Sequence, residues 1–278
     1  MASLANVSRL LFATLALALP GARALAAEPA PSPADAERRC PGLIAGLPDV
    51  RLLKFERVAL GEGEVRLTYV GHSTFLIESP RLVRIATDYN DYVKPPVLPD
   101  IVTMNHAHTT HYTDAPDPAI KFVLRGWKDD GSQAAHDLSF QDVRVRNVPT
   151  NIRDWAGGTE RHGNSIFVFE VAQLCIAHLG HLHHTLTKQQ LDDIGRLDVV
   201  LAPVDGTYTL DLDGMMEVLH ALKAPLVIPM HYFSAFTLGR FLDRAKQDWE
   251  VEATDTPSIV LSRAKLPKDP KVLVLPGH

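Results

Sequence analysis

From Glu64 onward, apolar and polar positions alternate. Val65, Leu67 and Tyr69, then Phe75 and Ile77, fall at period two on either side of Gly71-His72-Ser73. Successive strand side chains point to opposite faces, so this pattern predicts two strands joined by a tight polar break. Residues 82–86 form a third candidate strand, leading into Thr87-Asp88-Tyr89; residues 101–104 and 121–124 supply two more. Val143-Arg144-Val145-Arg146-Asn147-Val148 alternates cleanly and predicts a half-buried strand, whereas residues 151–163 read as a long polar loop. Residues 165–171 and 174–179 then read as a hairpin joined near Ala172-Gln173.

The pattern changes after residue 186. Thr187-Lys188-Gln189-Gln190 places a Thr and a Gln three apart, the spacing of a capping box. Leu191, Ile194 and Leu197 follow at helical spacing, and Gly195 is a natural stop. Residues 197–204 are almost continuously apolar, as in a strand buried on both faces, and they end in Asp205-Gly206-Thr207. Met215, Val218, Leu219 and Leu222 mark an amphipathic helix that leaves His220 off its apolar stripe and solvated. Residues 226–230 are apolar again and run into His231-Tyr232. Apolar strands thus finish in His106, His108 and His111, in His178 and His181, in Asp205, and in His231. Polar groups at the carboxyl ends of buried strands converge on one rim of a sheet, where α/β folds place their sites.

The stretch Asn105-His106-Ala107-His108-Thr109-Thr110-His111 carries the clearest chemistry. Neutral imidazole offers a nitrogen lone pair at pH 7, and a loop leaving a strand can turn several such groups toward one ion. His72 stands alone in sequence and reads as a hydrogen-bonded structural histidine, with a place facing the site as the alternative. Asp88 and Asp114 read as turn residues that could instead orient imidazoles. His183 and His184 open a helix-entry loop and default to solvent. Trp127 and Trp155 either line a mouth or cover core. Arg125 and Arg161 either hold an anionic substrate or decorate the surface.

Composition narrows the setting. The 278 residues are 46% hydrophobic and 22% charged, ordinary for a globular chain. The first 26 residues carry Arg9 and Arg23 and no acid, so removing them takes the formal charge from −5 to −7. A mildly acidic chain without a basic run argues against nucleic acid and anionic membranes as partners. Residues 10–19 are apolar apart from Thr14, Pro20-Gly21 ends the run, and Ala24-Leu25-Ala26 fits a small-x-small cleavage site. We therefore expect a signal peptide over 1–26, the alternative being an N-terminal anchor helix, and a periplasmic or secreted protein. A flexible leader, Pro/Ala-rich over residues 27 to about 40, and an N-terminal loop fill 27–61, and one domain spans 62–278. Export permits a Cys40–Cys175 disulfide, although Cys175 sits in an apolar run and is equally readable as a buried thiol.

Several motifs, in order, resemble the metallo-β-lactamase superfamily. They are Tyr69-Val70-Gly71-His72-Ser73-Thr74-Phe75-Leu76-Ile77, the 106–111 loop, Gly163-Asn164-Ser165-Ile166-Phe167, His178-Leu179-Gly180, Pro203-Val204 and Pro229-Met230-His231-Tyr232. Within the superfamily the ascorbate-6-phosphate lactonase-like hydrolases look most similar. The resemblance implies an α/β fold, a four-layer αββα sandwich, with a metal site at one edge. Against the family's His-x-His-x-Asp-His loop, His106, His108 and His111 match while Thr110 stands at the Asp position. His181 stands where the family's bridging Asp follows Leu-Gly, and Asn151 or Ile152 where a further His belongs; nearby His162 could substitute only if its loop folds back. His231 matches the last family histidine.

An imidazole turns only one nitrogen toward a given metal, so a carboxylate-bridged pair is not expected. The resemblance instead implies one transition-metal ion, zinc first with Fe, Mn or Ni as alternatives, held by some of His106, His108, His111, His181 and His231. Asp205 or His111 would shuttle the proton. The expected activity is hydrolysis of a small ester, lactone or phosphodiester through a metal-bound hydroxide. The alternatives are a non-catalytic periplasmic metal- or ligand-binding protein, motivated by the lost carboxylates, and a pH-responsive histidine patch without metal.

Overall fold

The computed structural model describes residues 59–154 and 156–277. The expected signal peptide, most of the leader, Cys40 and Trp155 lie outside the described residues.

Two β-sheets form the framework of the described residues. The smaller sheet contains β1 (Val65–Gly71), β2 (Thr74–Glu78), β3 (Arg84–Ala86), β4 (Ile101–Met104), β5 (Phe122–Arg125) and β13 (Ser258–Leu261), in the order β13-β1-β2-β3-β4-β5. The larger contains β6 (Asp137–Phe140), β7 (Val143–Arg153), β8 (Thr159–Val171), β9 (Leu174–His178), β10 (Val199–Pro203), β11 (Leu226–Met230), β12 (Glu250–Ala253) and β14 (Lys271–Val274). Its order is β12-β14-β11-β10-β9-β8-β7-β6. Both sheets are mixed: β3-β4-β5 and β9-β10-β11 run parallel, while β1-β2 and β7-β8-β9 are antiparallel.

Strand alternation explains the layers. Val199 and Leu201 of β10, with Ile176 of β9 and Phe167 and Phe169 of β8, share one core with Leu67, Phe75, Ile77 and Ile85 of the smaller sheet. The two sheets therefore pack face to face. Val200, Ala202 and Val227 point the other way and meet residues from α1 (Lys188–Ile194), α2 (Leu212–Leu222) and α3 (Ala235–Ala245). The outer face of the smaller sheet buries Ala86, Val102 and Met104 with Tyr89, Ile120 and Trp127. This is the sandwich of the expected α/β class. Among the described residues, the helical layer lies on the larger sheet.

Local chemistry sets the helix ends. Thr187 caps α1 and Gln190 reciprocates, as its spacing predicts. Arg146 donates to the carbonyls of Asp193 and Ile194, tying the end of α1 to β7. Among the described residues no helix is long and apolar enough to cross a membrane.

One expectation fails clearly. Residues 151–163 are not a loop: β7 runs to Arg153 and β8 starts at Thr159, with Ile152 facing Glu160 and Arg153 facing Thr159. This arm projects into solvent on much of its surface, so it carries none of the apolar alternation that marks a half-buried strand. Edge strands β6 and β12 were invisible in the pattern for the same reason, each being largely exposed.

Candidate metal centre

The loops at the carboxyl ends of β4, β9, β10 and β11, with the β1–β2 turn, meet at one rim. Each delivers a histidine or the carboxylate behind one. His72 sits in the β1–β2 turn with φ 51°. His231 follows β11 directly, also in the left-handed region at φ 56°, and its amide donates to the His72 carbonyl at 2.8 Å. The Tyr69 hydroxyl donates to that same carbonyl at 2.8 Å. This joins the ends of two different sheets. Gly180, at φ 61°, lets the chain turn from β9 toward His181 where Asn105 and Asn164 leave no room for a side chain.

The site is a histidine cluster backed by carboxylates. Ring centroids of His111 and His231 lie 5.2 Å apart, His111 and His181 4.8 Å, His181 and His231 4.9 Å, His72 and His231 4.3 Å, and His108 and His181 4.7 Å. His111, His181 and His231 are buried. The Nδ1 of His111 stands 2.6 Å from Asp88 Oδ2, and the Nδ1 of His231 stands 3.0 Å from Asp205 Oδ1. With each Nδ1–H donated to a carboxylate, the two Nε2 lone pairs face each other at 3.3 Å.

Asp88 and Asp205 are themselves held. Asn105 donates to Asp88 Oδ1 at 2.9 Å, and Asn105 in turn accepts from the Ser165 amide. Asp205 accepts from the amides of Thr207, Tyr208 and Thr209 and from the Thr209 hydroxyl. Burial raises Asp205, but the hydrogen bonds and charge of His231 and those of Thr209 and Thr207 win, leaving its carboxyl well below the usual range. Burial pushes Asp88 up to about 6, opposed by His178 and Asn105. Burial also holds the imidazoles below their ordinary range, with neighbouring histidines adding to it: His72 falls to about 3, and His111 and His181 fall well below. They are neutral at pH 7, the form that ligates metal.

The family profile described as the beta-lactamase superfamily domain matches residues 66–231. The chain belongs to that superfamily. A metal-dependent hydrolase of Methanosphaerula palustris is 29% identical over 216 residues, covering 71% of this chain and 96% of the relative. A crystal structure from Thermotoga maritima, of a candidate zinc-dependent hydrolase of the metallo-β-lactamase superfamily, is 30% identical. It covers 77% of this chain and 100% of that one, with a TM-score of 0.58. A metallo hydrolase from Ignicoccus hospitalis, 20% identical at a TM-score of 0.51 over 77% of this chain and 97% of that one, shares the fold.

Within this β-lactamase superfamily member, the expected ligands do not all gather. His111 and His231 are brought together, with His108 and His181 against them. His106 instead lies at the rim, its Nδ1 2.8 Å from Glu160 and its ring stacked on Trp127. His72, read from sequence as structural, joins the centre: one ligand atom each from His72, His111 and His231 lie within 4.8 Å of one another. Thr110, at the family's Asp position, contacts His72 Nε2 at 3.1 Å. Asp88, read as a turn residue, is the carboxylate behind His111, while Asp114 is exposed. His178 stays apart, bonded through Nε2 to the Ser73 carbonyl at 2.8 Å. Trp127 covers core. His220, expected in solvent, is exposed and lies beside Asp248 and Trp249.

The donor set fits a metal ion. Two nitrogens about 2.0–2.1 Å from one tetrahedral ion stand about 3.3 Å apart, which is the His111–His231 separation. Carboxylate-backed imidazoles are also the usual second layer of such sites. Two clefts open beside the centre. One of about 520 Å³ is lined by His72, His108, Thr110, Tyr208, His231 and Phe233. The other, about 570 Å³, includes His106, His108, Arg153, Glu160 and His183.

Proposed function

We propose that this protein is an exported metallo-hydrolase that cleaves a small ester, lactone or phosphodiester. His72, His111 and His231 would hold a single transition-metal ion, zinc first, with Fe, Mn or Ni as alternatives. The observation that carries this reading is the facing pair of Nε2 atoms on His111 and His231, each imidazole backed by a buried carboxylate. Such an ion would supply Lewis acidity, polarising the scissile group and lowering the pKa of water. The family relatives named metal-dependent hydrolases support the reaction class.

The chain's own residues divide the remaining work. Asp205 has both oxygens committed to His231 and the 207–209 turn, so it positions His231 instead of moving protons. His111 is likewise held between Asp88 and His231. The proton-transfer role expected of Asp205 or His111 passes to His108, which is half-buried and lines both clefts. Burial keeps it below the ordinary imidazole range, so it rests unprotonated at neutral pH. Tyr208 and Phe233 meet edge to face at 5.5 Å and form an apolar wall for the substrate.

Elemental analysis of untagged protein, followed by a panel of lactones, esters and phosphodiesters, tests the proposal. One ion per chain and turnover abolished by His231→Ala are expected. A bound ion without turnover would favour the non-catalytic binding protein, and no ion at all would end the hydrolase reading. Export is tested by sequencing the mature N-terminus, which should begin after Ala26.

A further inference from the structure

His181 occupies the centre with the opposite polarity to its neighbours. The backbone N–H of Arg153, on the β7 arm, donates to His183 Nδ1. A backbone N–H is a donor only, so that nitrogen must carry a lone pair. A neutral imidazole has a single N–H, which then lies on His183 Nε2. That atom stands 2.6 Å from His181 Nδ1. His183 Nε2–H therefore donates, His181 Nδ1 accepts, and the one N–H of His181 falls on Nε2. Each ring accepts a hydrogen bond at Nδ1, so neither carries a proton on both nitrogens. The His181 Nε2 atom is buried and has no hydrogen-bond partner among the described residues. Its ring lies 4.7 Å from His108, 4.8 Å from His111 and 4.9 Å from His231.

We infer that His181 is an N–H donor aimed into the centre, set by an Arg153–His183–His181 relay, and not a metal ligand. Ligation through Nε2 would require Nδ1–H on His181, a lone pair on His183 Nε2, and hence a His183 Nδ1–H pointing at the Arg153 N–H. The relay forbids that arrangement for neutral rings. His111 and His231 have the other tautomer because carboxylates, not an imidazole donor, face their Nδ1 atoms. The chemistry that matches a buried N–H beside a cationic site is an oxygen acquiring negative charge, as on a carbonyl or phosphoryl group under attack. This last role rests on the hydrolase reading; the tautomer does not.

The test is the ring ¹⁵N spectrum of full-length, histidine-labelled protein, recorded metal-free and with zinc, since proton positions are read directly there. His181 is assigned by its loss in His181→Gln. A protonated Nε2 and an unprotonated Nδ1 in both states are expected; an unprotonated Nε2 in either state overturns the inference. In His183→Glu the carboxylate accepts from Nδ1, so the His181 proton should move to Nδ1. Retention on Nε2 would show that the relay does not set it. Zinc binding gives an independent reading: His181→Gln should retain one ion per chain with affinity changed by less than about threefold, whereas loss of a ligand would weaken it well beyond the 10–100-fold typical of an outer partner. Absence of any transition-metal ion from the wild type would defeat the proposed function while the metal-free spectrum still decides the tautomer.

Discussion

Two buried carboxylates, Asp88 and Asp205, stand behind the centre and decide which nitrogen His111 and His231 turn inward. Sequence spacing exposes such residues poorly, because Asp88 lies 23 positions from His111 and Asp205 lies 26 from His231. Removing either charge should loosen its imidazole and lower the ring's basicity. We expect Asp205→Asn and Asp88→Asn each to weaken zinc affinity about 10–100-fold with the fold intact, measured by competition against a chromophoric chelator. An unchanged affinity in both would remove them from the site's support. His72 teaches the related lesson: a lone histidine in a turn has no sequence partner, and contacts with His231 and Thr110, distant in the chain, bring it to the others.

At the scale of elements, the strand ends are fixed by tight packing around two buried amides. Asn105 bridges β4 to Asp88 and to the Ser165 amide, and Asn164 accepts from the His181 amide at 2.8 Å. A methyl group on Gly180 would stand 2.3 Å from Asn164 Oδ1 and 2.5 Å from Asn105 Nδ2, at a left-handed φ of 61°. Gly180→Ala should therefore destabilise the protein by at least about 2 kcal/mol and displace His181. Denaturant unfolding reads the first effect, and a loss under about 0.5 kcal/mol would contradict this account. By contrast, Thr187→Ala removes only the capping box of the exposed start of α1, and should cost about 1 kcal/mol without touching zinc binding.

For the whole molecule, a cluster of buried neutral imidazoles makes stability depend on pH. An unfolded histidine titrates near pH 6.5, whereas His72 and His183 in the folded protein titrate at about 3 and about 4. Between these values the unfolded chain binds protons that the native chain does not, so acidification through that window destabilises the fold. His108, His111, His178 and His181 are shifted in the same direction. Asp88, raised to about 6, works the other way, since the native state takes up its proton first. Six histidines outweigh one carboxyl group. The thermal midpoint of zinc-free protein should fall between pH 7 and pH 5, followed by calorimetry; a flat or rising midpoint would contradict neutral burial of the cluster.

Strands with one or both faces in the core were legible from the chain alone. Alternation in residues 65–69 and 143–148, the apolar runs at 197–204 and 226–230, and the Thr187–Gln190 spacing each record a face that must be buried or a helix end that must be satisfied. Placing histidines after those runs was likewise a local fact, so one rim could be expected to hold them. Local pattern had no hold on the solvent-facing arm of β7 and β8, where neither face repeats an apolar period. Nor did it decide which histidines meet. His106 and His108 are two residues apart, yet one stacks on Trp127 at the rim and the other enters the cluster. Ligand geometry, the carboxylates behind it and the tautomer of His181 depend on which strand ends pack together, and that is fixed only when the two sheets close over their shared core.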